Sequence, residues 1–347
     1  GFQAHARQAL PRGRQVLLGG TAAVMALMLT LPTEAQLRWD TDPAAGVQGG
    51  TGDWDDVTDN WTDDLGVTNT TWVDGSSAQF ETMAGTVTVV GDRSVDSIIV
   101  LIDGYDIVGP GRLVIVGAPS VFDIFVGTTL TLGAEVTGAA DLEKAGGGTL
   151  ILPGANTYTG TTTITAGTLV LANAGGTLVD TNAVVVSAGG TLRLNFDETL
   201  GSIAGAGTID LQANTLTIGG GATTTFSGGI TGAGGLAITG GDTTLTGAND
   251  YAGGTTVSGG ALTVSGAGTL GAAGSTTTLS GGTLTIENAQ DATVLQSGGA
   301  LAGGGSVVNL GQTGGTGTLD ALRRATAIGG TVTAVGPDGI AAANTGA

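Results

Sequence analysis

One stretch of sequence occurs twice in this chain, and the duplication constrains the fold more than any other feature. Residues 154–164 read GANTYTGTTTI, and residues 247–257 read GANDYAGGTTV. The apolar alternation that follows also recurs in phase, because LVL at 169–171 corresponds to LTV at 262–264. Internal repeats of this kind, here about 93 residues apart, indicate an architecture that is built from similar stacked units.

From about residue 85 onward, short alternating segments are separated by glycine. Each has apolar residues at i and i+2 with a polar or β-branched residue between them, which predicts a half-buried strand. Helical periodicity is nearly absent in this part of the chain. The segments lie at 86–89, 113–116, 130–132, 150–152, 169–171, 192–194, 209–211, 216–218, 262–264 and 284–286.

The spacing of these segments selects one architecture. Strands this short are stable only in a sandwich, a propeller or a parallel β-solenoid. The turn-plus-strand motif Gly-Thr-Leu, or a near equivalent, recurs with the closest gaps at about 20 residues. A propeller blade needs roughly 40 to 45 residues and its own sequence motif. We therefore predict an all-β chain that forms a parallel β-helix (β-solenoid). It should have on the order of 11 to 15 coils and a length of about 50 to 70 Å.

The composition agrees with tight coils and excludes several functions. Of 347 residues, 67 are glycine and 11% are charged. The formal net charge is -19, so no basic surface is available to neutralise nucleic acid phosphates. Cysteine is absent, which excludes a disulfide framework and thiolate chemistry.

The two ends differ from the repetitive middle. Arginines precede an apolar run at 16–31, and a small-residue site ends at Ala35, which predicts a helical secretory signal peptide over 1–35. A membrane anchor is the alternative, but the run is shorter than the roughly 20 residues that span a bilayer. The β-helix is predicted over 81–320, and 321–347 is a low-complexity C-terminal end.

Residues 36–80 contain all four tryptophans and many aspartates. We interpret this segment as an N-terminal cap, because the terminal unit of a solenoid must cover the stacked core and present a polar outer face. A ligand site at Trp54, Asp55, Trp61 and Asp63 is the alternative, since indole rings stack on sugars and carboxylates bind Ca²⁺. The spacing does not match an EF-hand loop.

The repeat resembles the passenger-associated repeat of autotransporter (type V secretion) passenger domains. The residues that carry the resemblance are KAGGGTLIL at 144–152, which leads into the first copy, and the second copy at 226–262. The repeats lie near 138–172 and 231–265. The resemblance implies a right-handed parallel β-helix of a Gram-negative bacterium. It also implies a C-terminal or separate outer-membrane β-barrel translocator, for which this sequence shows no series of amphipathic strands.

Few residues are available for catalysis. His5 is the only histidine and lies in the predicted signal peptide, which excludes Ser-His-Asp triads, Cys-His dyads and His-containing metal sites from the mature chain. Lys144 is the only lysine. A Ser-Lys dyad through Lys144 is the alternative, but we expect a solvated charge in an exposed turn of the repeat. We therefore predict no catalytic residue, no metal ion and no cofactor.

A polysaccharide-active β-helix enzyme, either a hydrolase or a lyase, is the alternative. Such enzymes need two placed carboxylates, or a base near acidic groups. Arg193, Asp197 and Glu198 are the candidates, and we expect them in a charged outer turn.

These observations favour a non-enzymatic passenger that is secreted or displayed at the cell surface. We expect an adhesin or structural stalk for attachment or aggregation, with glycans or proteins of host or neighbouring cells as partners. A surface-layer or filament protein is a further alternative. The step from fold to function rests on the resemblance, because fold alone does not define function.

Overall fold

The computed structural model describes residues 36–42, 46–63, 66–302, 306–312, 318–319 and 334–335. The predicted signal peptide at 1–35 and nearly all of the predicted C-terminal end lie outside the described residues. Every regular element among the described residues is a β-strand. None of these residues forms a helix of the length and apolarity that crossing a membrane requires.

Short strands follow one another along the described part of the chain. The first are β1 Gln36–Trp39, β2 Gly52–Trp54, β3 Trp61–Thr62, β4 Asn69–Thr70, β5 Ser76–Phe80, β6 Thr86–Val89, β7 Asp92–Val100, β8 Tyr105–Val108, β9 Arg112–Ile115, β10 Ser120–Ile124, β11 Thr129–Leu132, β12 Glu135–Thr137, β13 Leu142–Ala145, β14 Thr149–Leu152, β15 Thr162–Leu171 and β16 Ala183–Leu194. They continue with β17 Glu198–Leu200, β18 Ser202–Gly205, β19 Thr208–Asp210, β20 Leu216–Ile218, β21 Thr223–Phe226, β22 Gly229–Thr231, β23 Leu236–Ile238, β24 Asp242–Leu245, β25 Thr255–Val257, β26 Ala261–Val264, β27 Ser275–Leu279, β28 Thr283–Ile286, β29 Ala289–Gln296, β30 Ala300–Ala302, β31 Ser306–Gln312, β32 Thr318–Leu319 and β33 Ala334–Val335.

The strands form a parallel β-solenoid of about 11 turns. Antiparallel pairing occurs where β3 contacts β1 and β4, near the start of the described residues. Hydrogen bonds between neighbouring coils join residues that are 19 to 22 positions apart. The predicted all-β parallel solenoid is therefore confirmed, and so is a coil length near 20 residues.

The core consists of apolar side chains stacked in register from coil to coil. Inward-facing residues alternate with outward-facing ones, as in β14 and β26, where the second and fourth residues are buried. Burial of this kind contributes about 1.5–3 kcal/mol for each large aliphatic side chain. One column of fully buried residues is Leu130, Leu150, Leu169, Leu192, Ile209 and Ile230.

The abundance of glycine follows from the close approach of coils at their corners. Gly205 has φ +104°, and a Cβ atom there would lie 2.1 Å from the carbonyl oxygen of Val186 in the preceding coil. A Cβ at Gly228 would lie 1.8 Å from the carbonyl oxygen of Gly207. Only glycine avoids these collisions and adopts positive φ without strain.

Aromatic side chains form a cluster at the N-terminal part of the solenoid. Trp54 contacts Trp61 and Trp72 edge-on or tilted, with ring centroids 4.9 and 4.8 Å away. Phe80 joins this cluster to Tyr105 of β8, with centroids 5.1 Å apart. Such pairs add about 0.5–1.5 kcal/mol each beyond the burial of their area. The tryptophans therefore form one packed aromatic cluster with Phe80.

The aspartates of this segment divide into two groups. Asp53, Asp56 and Asp59 are exposed. Asp40 is fully buried, and its Oδ1 accepts hydrogen bonds from the backbone N–H groups of Asp42 and Gln48. Asp40 is therefore not part of the predicted polar outer face, because its side chain closes a local turn inside the protein.

Candidate functional site

The asparagine of the first repeated motif connects three coils. Asn156 is 3% exposed, and its Oδ1 accepts a hydrogen bond from the backbone N–H of Val136 at 2.9 Å. Its Nδ2 donates to the carbonyl oxygens of Gly154 at 3.0 Å and Thr177 at 3.2 Å. Only a primary amide offers one acceptor and two donors at one position. Asn156 therefore ties its own coil to the coils on both sides.

The second copy repeats this arrangement. Oδ1 of Asn249 accepts from the N–H of Ile230 at 2.9 Å. Its Nδ2 donates to the carbonyl oxygens of Gly247 and Thr269, both at 2.9 Å. The duplicated motif is consequently a structural clamp between coils, and its asparagine is fully engaged within the protein.

The tyrosines of the two copies are equally buried and equally bonded. The hydroxyl of Tyr158 lies 2.6 Å from Oγ1 of Thr162, and that of Tyr251 lies 2.6 Å from Oγ1 of Thr255. Thr162 in turn donates to Oδ1 of Asn182 at 2.8 Å. Burial raises the pKa of both phenols above the ordinary value. Neither tyrosine presents a hydroxyl to a ligand in solution.

Lys144 is fully buried, so the expectation of a solvated charge in an exposed turn is wrong. Its Nζ donates hydrogen bonds to the carbonyl oxygens of Ala145 at 2.6 Å, Gly146 at 2.9 Å and Ala166 at 3.2 Å. Burial lowers the pKa of Lys144 to about 8, although the Asp123 carboxylate acts in the opposite direction.

The position of Lys144 follows from the alternation in β13. Leu142 and Lys144 both point inward, and Lys144 pairs in register with Phe122 on one side and Ile164 on the other. The aliphatic stem thus occupies a column of the core, while the ammonium reaches the carbonyl groups at the corner.

The three charged residues that the enzyme alternative requires do not converge. Glu198 is 3% exposed, and its carboxylate oxygens accept the N–H groups of Thr177 and Leu178, both at 2.8 Å. Oδ1 of Asp197 accepts the N–H of Thr215 at 2.7 Å. The expectation that Glu198 lies in an outer turn is wrong, because Glu198 is the first residue of β17 and points inward in the same alternation as Leu200.

Burial raises the pKa of Glu198, and the two backbone N–H groups only partly oppose this effect. The carboxylate acts as a clamp between coils, comparable to the asparagines of the repeated motif.

The candidate ligand residues near the N-terminus are mostly internal. Trp54 and Trp61 are 0% exposed, so neither offers a ring face for a sugar. Asp55 accepts the backbone N–H of Thr58 at 2.7 Å and its hydroxyl at 2.9 Å. Burial raises the pKa of Asp55, but these hydrogen bonds outweigh it and the pKa is lowered. Asp63 is exposed. Across the described residues, no group of three or more His, Cys, Asp or Glu is placed to hold a metal ion.

A groove runs along one corner of the solenoid, at the ends of β19 and β22. One depression of about 600 Å³ is lined by Asn195, Asp210, Gln212, Asn214, Gly232 and Ala233, among others. A second of about 340 Å³ is lined by Thr231, Asn249, Asp250, Thr269, Ala272 and Gln290, among others. The two adjoin at Thr231 and Gly232, and we call them together the corner groove.

Side chains from neighbouring coils meet in this groove. Nε of Arg193 lies 3.1 Å from Oδ2 of Asp210, and Nε2 of Gln212 donates to the same oxygen at 2.6 Å. Gln212 has φ +53°, a left-handed conformation that is unfavourable for residues with a side chain. The sequence did not indicate Asp210 and Gln212 as site residues, because turn residues of different coils show no common pattern along the chain.

Comparison with known proteins agrees with the repeats described above. The family model of the passenger-associated-transport-repeat matches residues 142–171 and 240–264. The adhesin BmaC autotransporter of Brucella suis biovar 1 (strain 1330) is 37% identical over 210 residues. The alignment covers 56% of this chain and 6% of the relative's length. No solved structure matches the chain.

The fold and the clamped corners define a β-solenoid that is built from recurring coil units. The matched repeats describe part of the chain further. It carries passenger-associated transport repeats at 142–171 and 240–264, and it is similar to a small part of an autotransporter.

Proposed function

We propose that this passenger segment is a non-enzymatic adhesive stalk, displayed at the surface of a Gram-negative bacterium, that mediates attachment to other cells. The observation that carries the proposal is the 37% identity to an autotransporter whose name describes it as an adhesin. The chain corresponds to only 6% of that relative's length. The activity and the partners of the whole protein are therefore part of this proposal.

The structure supports a mechanical role. Every clamp described above joins neighbouring coils, and the apolar core continues in register from coil to coil. A stack of this kind is stabilised by contacts between adjacent repeats and presents a long surface to partners. We further propose that an outer-membrane β-barrel translocator, in the same or a separate chain, brings the passenger to the cell surface.

The charged residues also favour binding over catalysis. Arg193, Asp197 and Glu198 each bond to a different part of the neighbouring coils. Glycoside hydrolysis requires two carboxyl groups that face one substrate, and these carboxylates do not face one another across a cleft.

Surface display tests the proposal. Residues 36–347, with an epitope tag, are fused to a heterologous translocator and expressed in a non-adherent strain. We expect these cells to attach to epithelial monolayers, or to aggregate, more than cells that display the tag alone. Antibody labelling of intact cells verifies exposure. Equal attachment and aggregation by both strains, at equal exposure, would refute the adhesive role.

A further inference from the structure

We propose that the corner groove binds a neutral linear polysaccharide that lies across successive coils. This inference rests on the proposed adhesive function and identifies the surface and the ligand class behind it. The exposed side chains that line the groove include the amides of Asn195 and Gln212 and the carboxylate of Asp250, which pair with sugar hydroxyls as donors and acceptors.

The groove has the dimensions of an extended ligand. Its two depressions adjoin and involve neighbouring coils, as the hydrogen bond from Asn214 Nδ2 to the carbonyl oxygen of Leu194 shows at one end. Gln290 bonds to the N–H of Leu270 at the other. At about 4.8 Å between coils, five coil steps extend about 24 Å, which accommodates several sugar units.

Gln212 is the strongest sign that this corner has a role beyond folding. Among the described residues it is one of two non-glycine residues with positive φ, the other being Thr82 at φ +69°. A backbone of this kind is strained for residues other than glycine. The chain uses glycine at most comparable corners, so a glutamine here retains an exposed amide at the expense of stability.

An exposed aromatic residue lies next to the groove in sequence. Phe196 is 43% exposed and follows Asn195, which lines the first depression. Aromatic rings at protein surfaces pack against apolar faces of ligands, and the C–H face of a pyranose is such a surface. Phe196 therefore offers an exposed ring beside Asn195 for one sugar unit, while the exposed amides of Asn195 and Gln212 bond to hydroxyl groups.

Charge and backbone geometry restrict the ligand class. The groove contains Asp210 and Asp250, and the nearby Arg193 is already paired with Asp210. Acidic polysaccharides and nucleic acids are therefore repelled. A peptide cannot add as a strand, because backbone groups of this corner bond from coil to coil, as Ala252 N–H does to Gly232 O.

Binding of oligosaccharides to the purified full chain tests the proposal. The probes are neutral cello-, laminari-, malto- and manno-oligosaccharides of about six units, with oligogalacturonate as the charged comparison. We expect at least one neutral probe to bind. Gln212→Gly and Phe196→Ala should each weaken that binding about three- to tenfold, which corresponds to the loss of one hydrogen bond or ring contact.

Thr82→Gly is the matched control, since it relieves the same backbone strain away from the groove. We expect both glycine variants to be at least as thermally stable as the original chain, and only Gln212→Gly to lose affinity. The proposal is overturned if no neutral probe binds, if both groove variants bind normally, or if oligogalacturonate binds more tightly than the neutral probes.

A parallel attachment assay separates this proposal from the adhesive function. Cells that display the Gln212→Gly, Phe196→Ala chain should attach less than cells with the original chain, and periodate oxidation of target-cell sugars should have the same effect. Normal attachment by the double variant refutes the groove and leaves the adhesive role intact. Loss of attachment after protease treatment but not after periodate also refutes it. Failure of the original chain to attach refutes the adhesive role itself.

Discussion

Asn156 and Asn249 make the same three side-chain hydrogen bonds, to the coil before, their own coil and the coil after. Because both amide ends are used, neither aspartate nor alanine reproduces the set. The repetition of the motif is therefore explained by corner geometry rather than by ligand recognition.

Replacement of Asn156 by aspartate should destabilise the chain. The substitution places an oxygen where Nδ2 now donates to two carbonyl oxygens, which leaves buried acceptors unpaired and opposes like partial charges. We expect a loss of about 2 kcal/mol in the free energy of unfolding for Asn156→Asp, and a similar loss for Asn249→Asp. Urea denaturation followed by far-UV circular dichroism measures both.

Asp250→Thr, which exchanges an exposed residue beside Asn249 without touching the clamp, is the control. Its free energy of unfolding should change by less than about 0.5 kcal/mol. Equal stability of Asn156→Asp and this control would contradict the clamp.

Removal of the tyrosine hydroxyls should affect the two repeats unequally. Tyr158 bonds to Thr162, which continues to Asn182, whereas Tyr251 bonds to Thr255. Bonds in a chain reinforce one another. We expect Tyr158→Phe to lower the free energy of unfolding by about 1–1.5 kcal/mol and Tyr251→Phe by about 0.5–1 kcal/mol. Differential scanning calorimetry of the two variants tests the order, and a larger effect at Tyr251 would contradict it.

The sequence predicts the solenoid well because the signals are local and repeated. Alternation in segments such as 150–152 and 169–171 determines which side chains are buried, and their spacing determines the coil length. The same alternation would have placed Lys144 and Glu198 inside, since both are in phase with neighbouring leucines. Their charge suggested a solvated turn instead, and only the carbonyl and N–H groups of adjacent coils explain their burial.

The corner groove could not be predicted in this way. Asp210 and Gln212 lie two residues apart at the corner of one coil and Asp250 lies at the corner of another, and corner residues lack a period that would connect them in the sequence. The positive φ of Gln212 also cannot be predicted from its residue type, because apart from Gln212 and Thr82 the left-handed positions among the described residues are glycines.

Lys144 should make stability depend on pH in the alkaline range. Its pKa is about 8 in the folded chain and has an ordinary value of 10.5, so the unfolded chain binds more protons between these values. The free energy of unfolding therefore rises with pH in that window. Lys144→Met keeps the stem in its column but loses three hydrogen bonds. At pH 7 we expect it to be less stable by about 1–3 kcal/mol.

The difference between the original chain and Lys144→Met should be constant below about pH 8 and should grow toward pH 10.5 in favour of the original chain. Urea titrations at a series of pH values provide the measurement. Comparison with the variant cancels the titration of tyrosines and other groups. A difference between the two proteins that shrinks as the pH rises would contradict this prediction.

Trp54 should be important for stability. It is 0% exposed and contacts Trp61, Trp72 and Phe80. We expect Trp54→Ala to lower the free energy of unfolding by about 3–5 kcal/mol through loss of burial and a cavity. Trp54→Phe retains an aromatic ring and removes an indole N–H that has no hydrogen-bond partner. It should therefore lower the free energy of unfolding less than Trp54→Ala does. Tryptophan fluorescence during denaturation distinguishes the two, and equal losses would argue against a packed cluster.

Glu198 should make the free energy of unfolding depend on pH in the acid range. Burial raises its pKa above the ordinary 4.5, so the folded chain binds a proton more readily than the unfolded chain. Its contribution to stability is therefore fully present below about pH 4.5 and declines as the pH rises through the folded-state pKa. Glu198→Gln should remove this dependence. It should also be less stable by about 1–3 kcal/mol, because its NH₂ group faces one of the N–H donors of Thr177 and Leu178.

Asp197→Asn, at the exposed neighbour, is the control and should retain the pH dependence of the original chain. Chemical denaturation between pH 4 and 8 measures all three proteins, and an identical pH profile for Glu198→Gln and the original chain would show that this carboxyl group is not the source.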